Sequence, residues 1–323
     1  MLNTGEYRLK NKFRGTLIGA AVGDSMGMCV EEIPVDEVVL HYGGEIKEIC
    51  EPHPASPASF LKAGETSSEF EIVKIVAESI AEKGRLDIRD ILERYIEWSE
   101  KEELHNYVDP SFLVAIEALK EGREIERGGS SIEGALPAIP LGMFHYTNPA
   151  LAVEGAKAVV LLTHRNEIVL DTASVIAVAV SECLQSRFYL KEEYPYFLEL
   201  LKTFVEKDET KFYLDRVKSL LDKDASYEEA IDELGNGSFA LEALSQSLFI
   251  FLKTPDNSEN AIIHAVNSYG NYGGDTDSIA LLTGAFAGAY NGEESIPALW
   301  KTKLKEYKEI IRLADKLYNV ALH

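Results

Sequence analysis

Cysteine is scarce in this 323-residue chain: Cys29, Cys50 and Cys183 give an odd number at wide spacing. That pattern suggests neither a disulfide framework nor a Cys-x-x-Cys metal site, and it fits a reducing, cytoplasmic setting. Basic charge is also short, with 32 Lys and Arg against 54 Asp and Glu and a formal charge of −22. Such a balance argues against a nucleic-acid backbone or an anionic membrane as the main partner. Long apolar runs are missing. The opening MLNTGEYRLKNKFRG lacks the apolar centre of a signal peptide, and the most apolar region, 151–184, is interrupted by Lys157, His164, Arg165, Glu167 and Asp171. The chain therefore reads as a soluble protein. Almost no stretch alternates as a half-buried strand requires, and no fixed-period repeat or low-complexity segment is present. The Pro-rich EPHPASPASF at 51–60 is too short for an interdomain linker, so one domain over 1–323 is expected.

What the sequence has is helical periodicity. Apolar side chains recur three and four apart over 8–22, 69–82, 87–100 and 109–121, then over 149–162, 170–186, 191–206, 226–234, 238–252, 257–267, 278–290 and 303–321. An all-α fold follows. Two irregular stretches remain, 33–68 and the glycine-rich GGSSIEGALPAIPLG at 128–142, and long loops in a compact helical domain tend to carry function.

Four short segments could carry chemistry. In GGDTDSIALLTGAFAGA, Asp275, Asp277 and Ser278 offer oxygens within one turn of a helix start, after two glycines that permit backbone angles closed to other residues. Such oxygens suit a hard cation such as Mg²⁺; they also suit N-capping, though capping needs only one of them. In GAAVGDSMGMCVEE (19–32), Gly23 reads as the turn that ends the first helix, with Asp24 as a backbone hydrogen-bond acceptor, before Glu31 and Glu32. In GETSSEFEIV (64–73), Ser67 or Ser68 reads as an N-cap with Glu69 or Glu71 complementing the helix dipole. In LTHRNE (162–167), His164 stands between two apolar segments.

Taken together and in this order, these segments resemble the ADP-ribosylglycohydrolase family over nearly the whole chain. RGTLIGAAVGDSMGMCVE is similar to its N-terminal signature, LTH to its central Thr-His, and GGDTDSIALLTGAFAGAYNG to its C-terminal metal motif. The resemblance implies an all-α, single-domain orthogonal helical bundle with one or two Mg²⁺ (or Mn²⁺) ions. It further implies hydrolysis of an ADP-ribosyl or related ribosyl N- or O-glycosidic bond in an ADP-ribosylated protein or a small ADP-ribose-containing ligand. By the same resemblance Asp275, Asp277 and Ser278 are metal ligands, joined by Ser67, Ser68 and Glu69. Glu31 and Glu69 are candidate catalytic carboxylates. Asp24, Gly129, Ser130, His164, Tyr269 and Tyr272 are candidate substrate contacts.

The sequence departs from the family at three places. Where Thr-Asp-Asp-Thr is usual, Ser67, Ser68, Glu69 and Phe70 stand, so a carboxylate is lost at Ser68 and one metal position should be weakened. Pro137 occupies the position of an arginine. The stretch SYGNY at 268–272 looks inserted, and Tyr269 or Tyr272 is available either to stack on an adenine or to pack the loop. A catalytically silent or specialised ADP-ribose-binding protein is the alternative reading.

Overall fold

In a computed structural model, residues 4–101, 108–123, 125 and 128–322 are described. They form sixteen α-helices and no strand; the one extended pairing among them is an isolated antiparallel bridge between Ser131 and Phe239. The fold is all-α, as the periodicity predicts. Helix starts are set locally by side-chain caps. Asp87 accepts from the Asp90 amide at the start of α4 (Ile88–Ser99), and Ser226 and Glu229 form a reciprocal capping box on α11 (Tyr227–Leu234).

The central feature is a helix pair. α1 (Thr4–Gly27) and α14 (Thr276–Asn291) run antiparallel with their backbones in contact. A Cβ at Gly19 would stand 2.0 Å from the Gly284 carbonyl oxygen, one at Gly288 1.9 Å from that of Gly15, and one at Gly23 2.0 Å from that of Ala280. With a fourth level, where a Cβ at Gly27 would stand 2.3 Å from the Thr276 carbonyl oxygen, these contacts fix the register of the two helices. The C-terminal end of α1 is delivered beside the N-terminal end of α14, where the Thr276 hydroxyl donates to the Gly27 carbonyl at 2.8 Å. Around this pair, α8 (Glu167–Gln185) packs against α6 (Ala138–Phe144), α7 (Pro149–Val160), α12 (Ala240–Lys253) and α14, and α16 (Tyr307–Ala321) packs on α1 and α3 (Ser68–Lys83). One continuous apolar core, with Phe13, Phe70, Phe112, Phe197, Phe249 and Phe286 fully buried, joins them. No helix among the described residues is long and apolar enough to cross a membrane.

The structure corrects several sequence expectations. Gly23 does not end α1; the helix runs on to Gly27, because close packing on α14 needs a residue without a side chain there and outweighs the low helix propensity of glycine. Four helices lie outside the predicted ranges: α2 (Val35–Tyr42), α6, α10 (Asp208–Asp222) and α15 (Ala298–Lys303). α6 carries Pro140 and Gly142, which read as breakers. Pro140, however, occupies the first turn, where its missing amide costs no intrahelical bond.

Candidate active site

The two ends of the α1–α14 pair and the start of α3 converge on a group of carboxylates. Asp24, in the last turn of α1, is fully buried; its Oδ1 accepts from the Ser67 hydroxyl and its Oδ2 from the Ser67 amide, each at 2.6 Å. Ser67 is also the N-cap of α3, accepting from the Glu69 amide at 3.2 Å. Glu69 reaches across to α14, where both of its oxygens lie 2.6 Å from the donating Ser278 hydroxyl. Asp275 caps α14, and Asp277 accepts from the Ser278 amide at 3.1 Å. One oxygen each from Asp24, Glu69 and Asp277 lie within 4.8 Å of one another.

Two glycines make this approach possible. Gly273 has φ +86°, and a Cβ there would sit 2.5 Å from the backbone of Glu32; a Cβ on Gly274 would sit 2.3 Å from the Asn236 side-chain nitrogen. The Glu32 amide donates to the Gly274 carbonyl at 3.0 Å, and Glu32 itself adopts a left-handed φ of +59°. This turn holds Glu31 over the carboxylate group, where it lines both a small recess with Ser68, Glu69 and Asp277 and a larger 430 Å³ cleft with Asp275 and Tyr272.

Electrostatics set the chemistry of the site. Among the described lining residues of recess and cleft there is no Lys or Arg. Burial pushes Asp24 up to about 7 despite its two bonds from Ser67. Burial, and then the charges of Asp275, Glu32, Asp24 and Glu133, holds Glu31 well above the usual carboxylate range. Glu69 and Asp277 are raised in the same way, by burial first and neighbouring carboxylates second. Oδ2 of Asp275 is buried without a hydrogen-bond partner among the described residues. A buried acidic cluster with an unsatisfied oxygen and no basic neighbour needs protons or a cation, and an all-oxygen donor set of carboxylates and hydroxyls suits a hard divalent one.

Sequence reasoning missed one prominent member of the site. Glu133, in a 3-10 turn at Ile132–Gly134, is buried at the cleft wall and pushed up to about 8, by burial first and the Asp109 charge second. Its Oε2 accepts from the Asp109 amide at 2.9 Å, while Oε1 has no partner among the described residues. The signal was present as a single carboxylate inside the otherwise uncharged GGSSIEGALPAIPLG.

A family model described as ADP-ribosylglycohydrolase matches residues 5–323. The chain belongs to that family. Within the wider group of similar proteins, ADP-ribosylhydrolase ARH3 of Homo sapiens is 25% identical over 369 residues, covering 98% of this chain and 95% of that protein. ADP-ribosylarginine hydrolase Tri1 of Serratia proteamaculans (strain 568) is 24% identical, covering 96% of this chain and 80% of that protein. A solved chain described as an ADP-ribosylglycohydrolase-related protein complex shares the fold, with a TM-score of 0.76 at 23% identity, covering 98% of this chain and 99% of that one.

Set against the family resemblance, the candidate residues divide. Asp24, considered as a substrate contact, instead joins the acidic cluster. Ser67 spends its hydroxyl on Asp24 and on capping α3. Ser68 lines the recess beside Glu31 and Asp277. His164, considered as a substrate contact, is wholly buried behind the cleft. Its Nδ1 lies 2.9 Å from the Thr163 hydroxyl, its Nε2 3.3 Å from the Ser131 hydroxyl and 4.0 Å from Asp109, which makes it a support for the cleft wall. That wall is formed by Ser131 to Glu133 and not by Gly129 and Ser130, because Gly129 packs on Ser111 and the Ser130 carbonyl is taken by the Ala240 amide. Tyr272 is 94% exposed at the cleft rim, whereas Tyr269 is buried and lines a different cavity, which removes it from the cleft.

Proposed function

We propose that the chain is a metal-dependent hydrolase of an ADP-ribosyl, or related ribosyl, N- or O-glycosidic bond, using Mg²⁺ or Mn²⁺. The observation that carries this reading is the pairing of a buried acidic cluster, with no Lys or Arg among the described residues lining its recess and cleft, with a further carboxyl, Glu31, that opens on the cleft. Asp24, Glu69, Asp275 and Asp277 would hold one or two ions, with the Ser278 hydroxyl in reach. A bound divalent cation supplies Lewis-acid polarisation and fixes sugar hydroxyls and a water in place. The names of the relatives, an ADP-ribosylhydrolase and an ADP-ribosylarginine hydrolase, support the substrate class.

Glu31 is the general acid and then the general base. Glycosidic cleavage passes through an oxocarbenium-like state, so the leaving group must be protonated and a water activated. Burial and four neighbouring carboxylates hold Glu31 well above the usual carboxylate range, which favours the protonated form that gives its proton to the departing nitrogen or oxygen. The carboxylate so formed accepts a proton from water on the return step. Glu133 stands beside it as a second carboxyl raised to about 8.

A second reading is carried by Ser68, which stands in the recess where the family usually has a carboxylate: an ADP-ribose-binding protein that retains the site without turnover. One experiment decides between them. The purified protein is incubated with ADP-ribosyl-arginine, ADP-ribosyl-serine and O-acetyl-ADP-ribose, each with Mg²⁺ or with EDTA. Release of ADP-ribose from at least one substrate, abolished by EDTA, is expected. Metal-dependent ADP-ribose binding with no release from any of the three would favour the second reading.

A further inference from the structure

The loop that leads into Asp275 borders two cavities. Its later residues, 272–275, line the acidic cleft, and its earlier ones, 268–271, line a separate cavity of 470 Å³ between α2, α11, α12 and α13 (Ser258–Val266). That volume lies within the usual range for small-ligand sites.

The second cavity has a definite chemical character. Tyr227 and His264 are stacked at 3.8 Å with 20° between their planes, and with Tyr269 they give an aromatic wall. Burial holds the His264 pKa below its ordinary value, so this ring adds no positive charge at neutral pH. At the mouth, Glu228 and Asp232 lie four apart on α11, both exposed, and neither enters an ion pair with a described residue. No Lys or Arg is among the described lining residues, although Lys253 stands over the Tyr227 ring from outside the lining, 5.9 Å from its centroid. Gln246 of α12 also lines the cavity; it is 1% exposed, and its side-chain amide nitrogen has no hydrogen-bond partner among the described residues, a costly omission for a buried donor. The faces of His264 and Tyr269, with two carboxylates that have no ion-pair partner among the described residues, attract a planar cation, and the amide asks for an acceptor on the same molecule.

The loop between the cavities is tied on both sides of a single residue. The Asn236 side-chain Nδ2 donates to the carbonyls of Ser268 at 2.7 Å and Gly273 at 3.2 Å, while the Asn236 backbone carbonyl accepts from the Asp275 amide at 2.8 Å. The Val35 amide, at the start of α2, donates to the Gly270 carbonyl at 3.2 Å. We propose that this cavity is an effector site for a flat organic cation bearing a hydrogen-bond acceptor, and that its occupant steadies the 268–275 loop on which Asp275 stands. Ligand order transmitted through such a shared segment is coupling between sites, independent of any hydrolysis in the cleft.

The probe is 4-hydroxybenzamidine, with 4-hydroxybenzoate as its anionic counterpart, titrated calorimetrically into the full chain. Saturable binding of the amidine below about 1 mM is expected, weakened on the order of tenfold by Glu228→Lys with Asp232→Lys and abolished by Ile231→Trp, which fills the cavity. Hydrogen exchange at the amides of Glu32, Val35 and Asp275 should slow when the amidine is bound. Absence of saturable binding, equal binding of the benzoate, unchanged affinity in the charge-reversed variant, or binding without slower exchange at those amides would each overturn the proposal.

Discussion

Ser67 gives both of its donors to Asp24: amide and hydroxyl each lie 2.6 Å from a different oxygen of that carboxylate, across 43 residues of sequence. The pair locks the end of α1 to the start of α3 and orients one wall of the acidic cluster. Ser67→Ala removes the hydroxyl donor and the α3 cap together while leaving Asp24 buried. A loss of about 1–3 kcal/mol in urea unfolding is expected, with weaker Mg²⁺ binding by calorimetry, and Ser67→Thr should recover most of both. Full stability in the alanine variant would show that the contact carries little.

The cation-free protein should become less stable as pH rises. Asp24 is pushed up to about 7 and Glu133 up to about 8, above their unfolded values near 4. Between those limits the folded state binds more protons than the unfolded one. The burial penalty is therefore absent below about pH 4, grows as each carboxyl ionises, and is complete above about pH 8. Scanning fluorimetry in EDTA should give a Tm that falls from pH 5.5 to 8.5. Saturating Mg²⁺ should raise Tm more at pH 8 than at pH 5.5, since it compensates the ionised cluster. A Tm rising with pH in EDTA would contradict this account.

Gly284 tests the helix pair. Adding a methyl group there places a carbon 2.0 Å from the Gly19 carbonyl oxygen, a backbone atom that cannot swing aside. Gly284→Ala should cost on the order of 3 kcal/mol or prevent folding, although alanine is the better helix former. Exposed Gly84, which caps α3 with no atom near its missing Cβ, is the control: Gly84→Ala should cost only about 1 kcal/mol, through its positive φ.

How far the molecule could be read in advance depends on how local each signal was. GGDTDS is legible because its glycines, carboxylates and hydroxyls lie within six residues and all serve one turn. Ser67 as a cap is legible for the same reason. Asp24 reads as an acceptor for nearby backbone amides; the amide it accepts from belongs to Ser67, 43 residues away, and its place in the acidic cluster depends on the four-level contact of α1 with α14, which no short window shows. Glu133 is a lone carboxylate in a glycine-rich loop, and only the folded chain brings it to Asp109 and Glu31. α10 escapes the sequence pattern because its buried stripe of Leu214, Val217 and Leu220 is narrow among charged residues, and α2 because it is a single short element with only Val38 buried, inside the irregular stretch 33–68.

Glu31→Gln separates proton transfer from binding. Glutamine keeps the shape and can still hydrogen-bond, but it cannot give up and regain a proton. Turnover should fall by on the order of a hundredfold or more, while Mg²⁺ affinity and folding are retained or improved because one repelling carboxylate has gone. Equal activity in the glutamine variant would transfer the acid role elsewhere, with Glu133→Gln the next variant to measure.

By the family resemblance, Ser68 stands where a carboxylate is usual. It is the first residue of α3 and lines the recess with Glu31, Glu69 and Asp277. An aspartate at this position sits favourably on the helix dipole, so the substitution need not disturb α3. It does add a negative charge to a group already raised by mutual repulsion, and that charge is useful only with a cation present. Ser68→Asp should therefore lower Tm in EDTA, raise it in Mg²⁺, and tighten Mn²⁺ and Mg²⁺ binding about tenfold, whereas Ser68→Asn should do none of these. The crossing of the two Tm shifts is the informative readout, because a general stabilisation or destabilisation would move both in the same direction. Unchanged affinity in Ser68→Asp would mean that this side chain does not face the cation.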